Sequence, residues 1–95
     1  MDKEITKVIF RMFGDGQVIA LFPEIATDKV GYYCQSYMHN GQHGPASPGL
    51  VNSTKPTKQE DYQHLFDELK TIGYNLKVVK KFTQSMQVTR KAMYN

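Results

Sequence analysis

Residues 5–22, ITKVIFRMFGDGQVIALF, decide the fold of this chain of 95 residues. Two runs rich in β-branched and aromatic residues flank Gly14-Asp15-Gly16, and an Asp-Gly pair in that setting indicates a β-hairpin. The second run, residues 17–22, places apolar side chains on both faces, which is typical of a central strand covered on two sides. Pro23 cannot donate to a strand ladder, so we expect it to end this strand.

An amphipathic helix is predicted after the middle of the chain. Thr57 and Glu60 have the spacing of a capping box, and Gly73 is placed to end the helix. Residues 74–82 then alternate like a half-exposed strand. The apolar face of the helix consists of Tyr62, Leu65, Phe66, Leu69 and Ile72.

These elements predict an α+β fold, a small and mostly antiparallel sheet in the order β-β-β-(β)-α-β with one main helix packed on one face. The length allows one domain. We assign residues 1–82 to it and residues 83–95 to a polar, basic C-terminal tail. An extra helix, an arm on a partner and disorder all stay open for this tail.

Composition indicates a globular protein that works in a reducing compartment. The chain is 40% hydrophobic and 22% charged, which is ordinary for a folded domain. It opens on charged residues without the apolar core of a signal peptide, and no apolar run approaches the ~20 residues of a membrane span. Its single cysteine, Cys34, excludes an intramolecular disulfide. We therefore expect a cytoplasmic protein without a membrane partner, and the small size keeps a homodimer open.

The stretch Tyr32–Val51 is the most unusual part of the sequence. Residues 32–39 predict a third strand, and residues 40–48, NGQHGPASP, are dense in turn formers and predict a loop. Residues 49–53 fit a short further strand. One face of the third strand is aromatic and polar, and with the loop it supplies a candidate contact surface of Tyr33, Gln35, Tyr37, His39, Gln42 and His43.

Catalytic and metal-binding interpretations of this stretch are weaker. His39 and His43 have the spacing of a helical zinc pair, but two turn formers lie between them and no glutamate accompanies them. Cys34 shares its strand face with Met38, where a cysteine packs as a small apolar residue. The glycines lack the spacing of a phosphate-binding loop. We therefore expect no enzyme activity, no cofactor and no metal.

The positive charge is concentrated at the C-terminal end. Five basic residues and no acidic residue follow from position 77 onward, whereas the net charge of the whole chain is +3. A local positive field attracts polyanions. Lys77 and Lys81 on the last strand, together with exposed tyrosines, therefore support binding of single-stranded RNA or DNA.

Three segments resemble a known group of proteins: VIFRMFGDGQVIALFPEI, YCQSYMHNGQHG and EDYQHLFDELKTIGYNLKVVKK. They are similar to small uncharacterised proteins of gut bacteria and their mobile elements, phages included, over roughly residues 7–81. The resemblance implies a small accessory protein that binds a host or phage macromolecule, with a phage origin left open. It implies no catalytic residues.

Two functions follow from these observations. The first is a non-enzymatic protein that contacts a host or phage protein through the third strand and the following loop. The alternative is binding of single-stranded nucleic acid through the basic last strand and tail.

Overall fold

A computed structural model describes residues 5–38 and 42–92 and confirms the small α+β fold, with a mostly antiparallel sheet and one main helix. The chain order is β1 (Thr6–Met12), β2 (Val18–Ala26), β3 (Cys34–Met38), β4 (Gln42–Ala46), a 3₁₀ helix (Pro48–Ser53), β5 (Lys55–Pro56), α1 (Gln59–Ile72), β6 (Leu76–Val78) and α2 (Gln84–Lys91).

The predicted hairpin is confirmed and forms the middle of the sheet. β1 and β2 pair antiparallel with Met12 opposite Val18, and Gly16 takes the positive φ that the turn requires, +91°. β3 and β4 continue the antiparallel sheet beyond β2. Two short strands share the other edge of β1: β5 pairs antiparallel near Met12, and β6 pairs parallel near Thr6–Val8.

Both faces of the sheet are covered, as the apolar pattern of β2 predicts. α1 packs on one face and closes the helix-side core, which consists of Val8, Phe10, Ala20, Phe22, Tyr37, Leu65 and Leu69. The opposite-side core consists of Ile9, Ile19, Leu21, Cys34 and Ala46 and is covered by side chains of the 3₁₀ helix and of residues 79–82.

Several local predictions are wrong. β2 does not end at Pro23 but runs to Ala26, because a register shift between Phe22 and Ala26 accommodates the proline. The predicted loop contains a strand, β4, because an edge strand tolerates a proline such as Pro45. The short strand expected at residues 49–53 lies in the 3₁₀ helix, whose first turn is capped by the Ser47 hydroxyl.

The main helix lies where the apolar pattern predicts, but its capping differs. Lys58 is the N-cap residue and makes no side-chain capping bond, so the predicted capping box of Thr57 and Glu60 is not formed. Gly73 ends the helix as predicted, at φ +128°, with its N–H donating to the carbonyls of Leu69 and Lys70. Ile72 is 52% exposed and does not belong to the buried face.

The segment after residue 82 contains the second helix, α2, which packs on β2. The Thr83 hydroxyl accepts a bond from the Met86 N–H and begins the helix. Near the other end, Arg90 is buried and bonds to backbone carbonyls of β2 and of the β2–β3 turn. In that turn Gly31 has φ +75°, and a Cβ on it would lie 2.6 Å from the Lys91 Cα.

The close approach of α2 predicts a large cost for Gly31→Ala. A side chain at Gly31 would be strained by the positive φ and would collide with backbone atoms, so we expect the free energy of unfolding to fall by about 2–4 kcal/mol. Gly44→Ala is the matched control because no atom lies within 4 Å of its Cβ position, and we expect a change within about 1 kcal/mol. Urea unfolding of both variants measures the difference. Equal losses in the two proteins would contradict the close packing of α2.

Candidate functional site

The contact surface predicted on β3 is partly buried. Tyr37 is only 2% exposed and belongs to the helix-side core. Its hydroxyl donates to the Glu68 carboxylate of α1, because α1 covers this face of the strand. The exposure expected for Tyr37 is therefore not found.

The other residues of that predicted surface are spread along β3 and β4. Tyr33 lies just before β3 and is 43% exposed. Its ring meets the ring of Tyr32 edge to face, with the ring centres 4.9 Å apart. Gln35 is half-buried within β3. His43 lies on β4 opposite Tyr37, with its Nε2 atom 3.0 Å from the Tyr74 hydroxyl.

Two residues of the predicted surface remain, Gln42 and His39. Gln42 pairs with Met38 through the β3–β4 ladder. His39 lies outside the described residues. The structure thus brings His43 to Tyr37 and Tyr74 and leaves Tyr33 at the opposite end of β3.

Cys34 lies in an environment that suits packing rather than nucleophilic chemistry. The side chain is fully buried in the opposite-side core. Burial raises the pKa of the thiol from 9.0 to about 11, although the nearby positive charge of Arg90 acts in the other direction. The thiolate is the reactive form of cysteine, so this environment keeps Cys34 in its unreactive form at neutral pH.

A groove of about 830 Å³ opens where β5 and β6 share the edge of β1. The start of α1 forms one wall, and Lys80 and Lys81 form the other. A volume of this size falls within the range of binding clefts. We refer to this site as the edge groove.

Apolar and aromatic side chains line the floor of the edge groove. Phe10 stacks on Tyr62 with the ring centres 4.3 Å apart and the planes 5° from parallel. Val79 and Phe82 are half-buried against the opposite-side core, and Val78 is 37% exposed. The floor is therefore apolar, and its aromatic rings pack against neighbouring side chains.

The rim of the edge groove is basic. Lys58, Lys80 and Lys81 are exposed lining residues, and Arg11 lines the groove from β1. The Arg11 guanidinium donates hydrogen bonds to the Thr54 hydroxyl at 3.0 Å, to the Thr54 carbonyl at 2.6 Å and to the Val51 carbonyl at 2.9 Å. None of the described lining residues carries a carboxylate, so the groove concentrates positive charge.

Of the two lysines predicted as binding residues, Lys81 lines the edge groove and Lys77 is exposed on β6, beside the groove residue Val78. Sequence reasoning missed Lys58, Lys80 and the aromatic floor. The adjacent Lys80-Lys81-Phe82 in the sequence is the signal that marks one wall. The opposite wall, at the start of α1, is brought here by the pairing of β5 with β1, and no local sequence pattern indicates this long-range pairing.

A second cavity of about 310 Å³ lies near the β1–β2 turn. Its described lining includes Asp61 and His64 of α1 and no lysine or arginine. The basic lining is therefore a property of the edge groove and not of both cavities.

Comparison with protein-family models, with curated proteins and with solved structures finds no match to this chain. The resemblance to proteins of gut bacteria and their mobile elements, the cytoplasmic location and the homodimer therefore stay predictions. No helix within the described residues is long and apolar enough to cross a membrane.

Buried Cys34 predicts a loss of stability at alkaline pH. Because the pKa of the thiol is raised to about 11 in the fold, the unfolded chain ionises first as the pH rises above 9.0. Ionisation of Cys34 therefore leaves the free energy of unfolding unchanged below pH 9. Between pH 9 and pH 11 it lowers the free energy of unfolding by about 2–3 kcal/mol, which corresponds to the difference between the two pKa values. Urea unfolding at pH 8 and pH 11 should show a larger loss for the wild type than for Cys34→Ala. Identical losses in the two proteins would refute this prediction.

Proposed function

We propose that this chain is a non-enzymatic binding protein that holds single-stranded nucleic acid in the edge groove. The observation that supports it best is the lining of the groove, which places three exposed lysines and Arg11 around an aromatic and apolar floor. Single strands bind where cations follow the phosphates and where flat side chains meet the bases. The edge groove supplies both kinds of contact.

The two parts of the groove have different tasks in this proposal. Lys58 lies at the start of α1, whereas Lys80 and Lys81 lie on the opposite wall, so phosphates are attracted from both sides. Lys77 on β6 and Lys55 on β5 extend the basic surface along the same edge of the sheet. Tyr62 and Phe82 offer the aromatic surfaces against which bases pack.

Contact with a host or phage protein is the second candidate function. It is supported by an exposed apolar cluster in the β2–β3 turn, where Val30 is 71%, Tyr32 52% and Tyr33 43% exposed. Exposed tyrosines are common in protein interfaces. Because Tyr37 is buried, this surface would centre on the turn rather than on β3.

Neutralising the basic wall tests the phosphate contacts. For Lys80→Gln/Lys81→Gln we expect about tenfold weaker binding of a fluorescent oligothymidine at 100 mM salt. We also expect the slope of log K against log [salt] to flatten by about 1.4, because each lost phosphate contact removes about 0.7. Fluorescence anisotropy between 50 and 200 mM salt measures both quantities.

Lys29→Gln/Lys70→Gln is the matched control, because it removes the same charge outside the groove lining. It should keep both the affinity and the slope of the wild type. A wild-type affinity that does not depend on salt, or equal losses in the two double variants, would reject the proposal.

Replacing an aromatic ring tests the base contacts. Phe82→Leu keeps an apolar side chain against the opposite-side core but removes the ring. We expect about fivefold to tenfold weaker binding with an unchanged salt slope, since one stacked base contributes about 1–3 kcal/mol.

An abasic deoxyribose-phosphate oligomer of the same charge is the control ligand. It should bind more weakly than oligothymidine and should not distinguish Phe82→Leu from the wild type. A glutamate-rich peptide that binds more tightly than oligothymidine would instead identify an acidic peptide as the occupant of the groove.

A further inference from the structure

We infer that Arg90 is a positioning residue for the edge groove, because it anchors α2 and thereby holds Lys80 and Lys81 in the groove wall. The consequence for ligand binding rests on the function proposed above. The consequence for the structure of the wall does not, and it can be measured without a ligand.

Arg90 joins α2 to two other parts of the chain. Its side chain is 1% exposed, its Nε atom donates to the Gly31 carbonyl at 2.7 Å, and its Nη1 atom donates to the Pro23 carbonyl at 2.7 Å. Pro23 belongs to β2 and Gly31 to the turn that leads into β3. One side chain therefore ties the C-terminal helix to two segments that lie far away in sequence.

The wall of the groove depends on this anchor because of the path of the chain. Residues 79–82 have no regular secondary structure and connect β6 directly to α2. At the first end, the Val79 N–H donates to the Val8 carbonyl at 2.9 Å, which continues the pairing of β6 with β1. At the second end, Thr83 caps α2. The position of Lys80 and Lys81 is therefore set from both ends, and Arg90 secures the second one.

Arginine is suited to this task in a way that lysine is not. The guanidinium is planar and presents N–H donors in fixed directions, so it can serve two separate carbonyls at once. Lysine at this position keeps the charge but cannot reproduce both bonds in the same geometry.

Hydrogen exchange of the ligand-free protein tests the structural part. The Val79 N–H, which donates to the Val8 carbonyl, and the Thr83 N–H, which donates to the Met86 sulfur, are the protected amides at the two ends of the wall. In Arg90→Lys we expect both amides to exchange at least tenfold faster than in the wild type. Val88→Ala is the matched control, since Val88 is 61% exposed on the same helix and its side chain makes none of these bonds. Unchanged exchange of the Val79 and Thr83 amides in Arg90→Lys would overturn the inference.

A second variant guards against a failure of Arg90→Lys to fold. Gly31→Ala displaces α2 at Lys91 while Arg90 is retained. It should accelerate exchange of the same two amides, those of Val79 and Thr83. Normal exchange there, together with a displaced α2, would likewise overturn the inference.

Binding measurements separate positioning from general destabilisation. We expect Arg90→Lys to weaken oligothymidine binding about fivefold and to flatten the salt slope by about 1, because the two lysines no longer face the phosphates together. In the Lys80→Gln/Lys81→Gln background the same substitution should change neither quantity. A loss of equal size in both backgrounds with an unaltered slope would show only destabilisation and would reject the positioning role.

The two experiments also keep the two proposals apart. If the wild type binds no nucleic acid at low salt, the proposed function fails. The exchange rates of the Val79 and Thr83 amides then still decide whether Arg90 holds the wall.

Discussion

Burial of both faces of the β1–β2 hairpin is the constraint on which the rest of the structure depends. Val8 is 0% exposed and points to α1, whereas its neighbour Ile9 is 2% exposed and points to the other side. A chain of 95 residues has few residues left to cover both faces of this hairpin. α1 covers one of them, and side chains of the 3₁₀ helix and of residues 79–82 cover the other. Within the described residues, the chain after β6 also packs on the sheet, since α2 contacts β2.

The edge groove follows from the same constraint. β1 needs a partner on its outer edge, and two short strands from distant parts of the chain provide it, each over two or three residues. The chain then leaves β6 and crosses to the opposite face, which opens a cleft between that crossing and the start of α1. Lysines suit the walls because they keep charge in water at a sheet edge. The groove is positively charged because none of its described lining residues carries a carboxylate.

Local patterns predicted the parts of the fold that local physics determines. The Gly14-Asp15-Gly16 turn and the apolar stripe of α1 form where the sequence indicates, since both depend on neighbouring residues. The prediction of a loop over residues 40–48 is wrong because Gln42–Ala46 pair with β3 as an edge strand, in spite of Gly44 and Pro45. Tyr37 was predicted to be exposed, but which face of β3 lies under α1 is decided by tertiary packing. The groove was missed for the same reason, apart from the basic Lys80-Lys81 pair that marks one wall.

The proline of β4 has a consequence for the outer edge of the sheet. Pro45 stands opposite Gln35 within a continuous antiparallel ladder, and proline is accommodated there when its nitrogen faces away from the partner strand. A foreign strand approaching β4 would find no N–H at that position and could not complete its own ladder. With β5 and β6 occupying the opposite edge, the sheet offers poor templates for growth by strand addition. A feature that first suggests a loop thus protects the molecule against edge-to-edge aggregation.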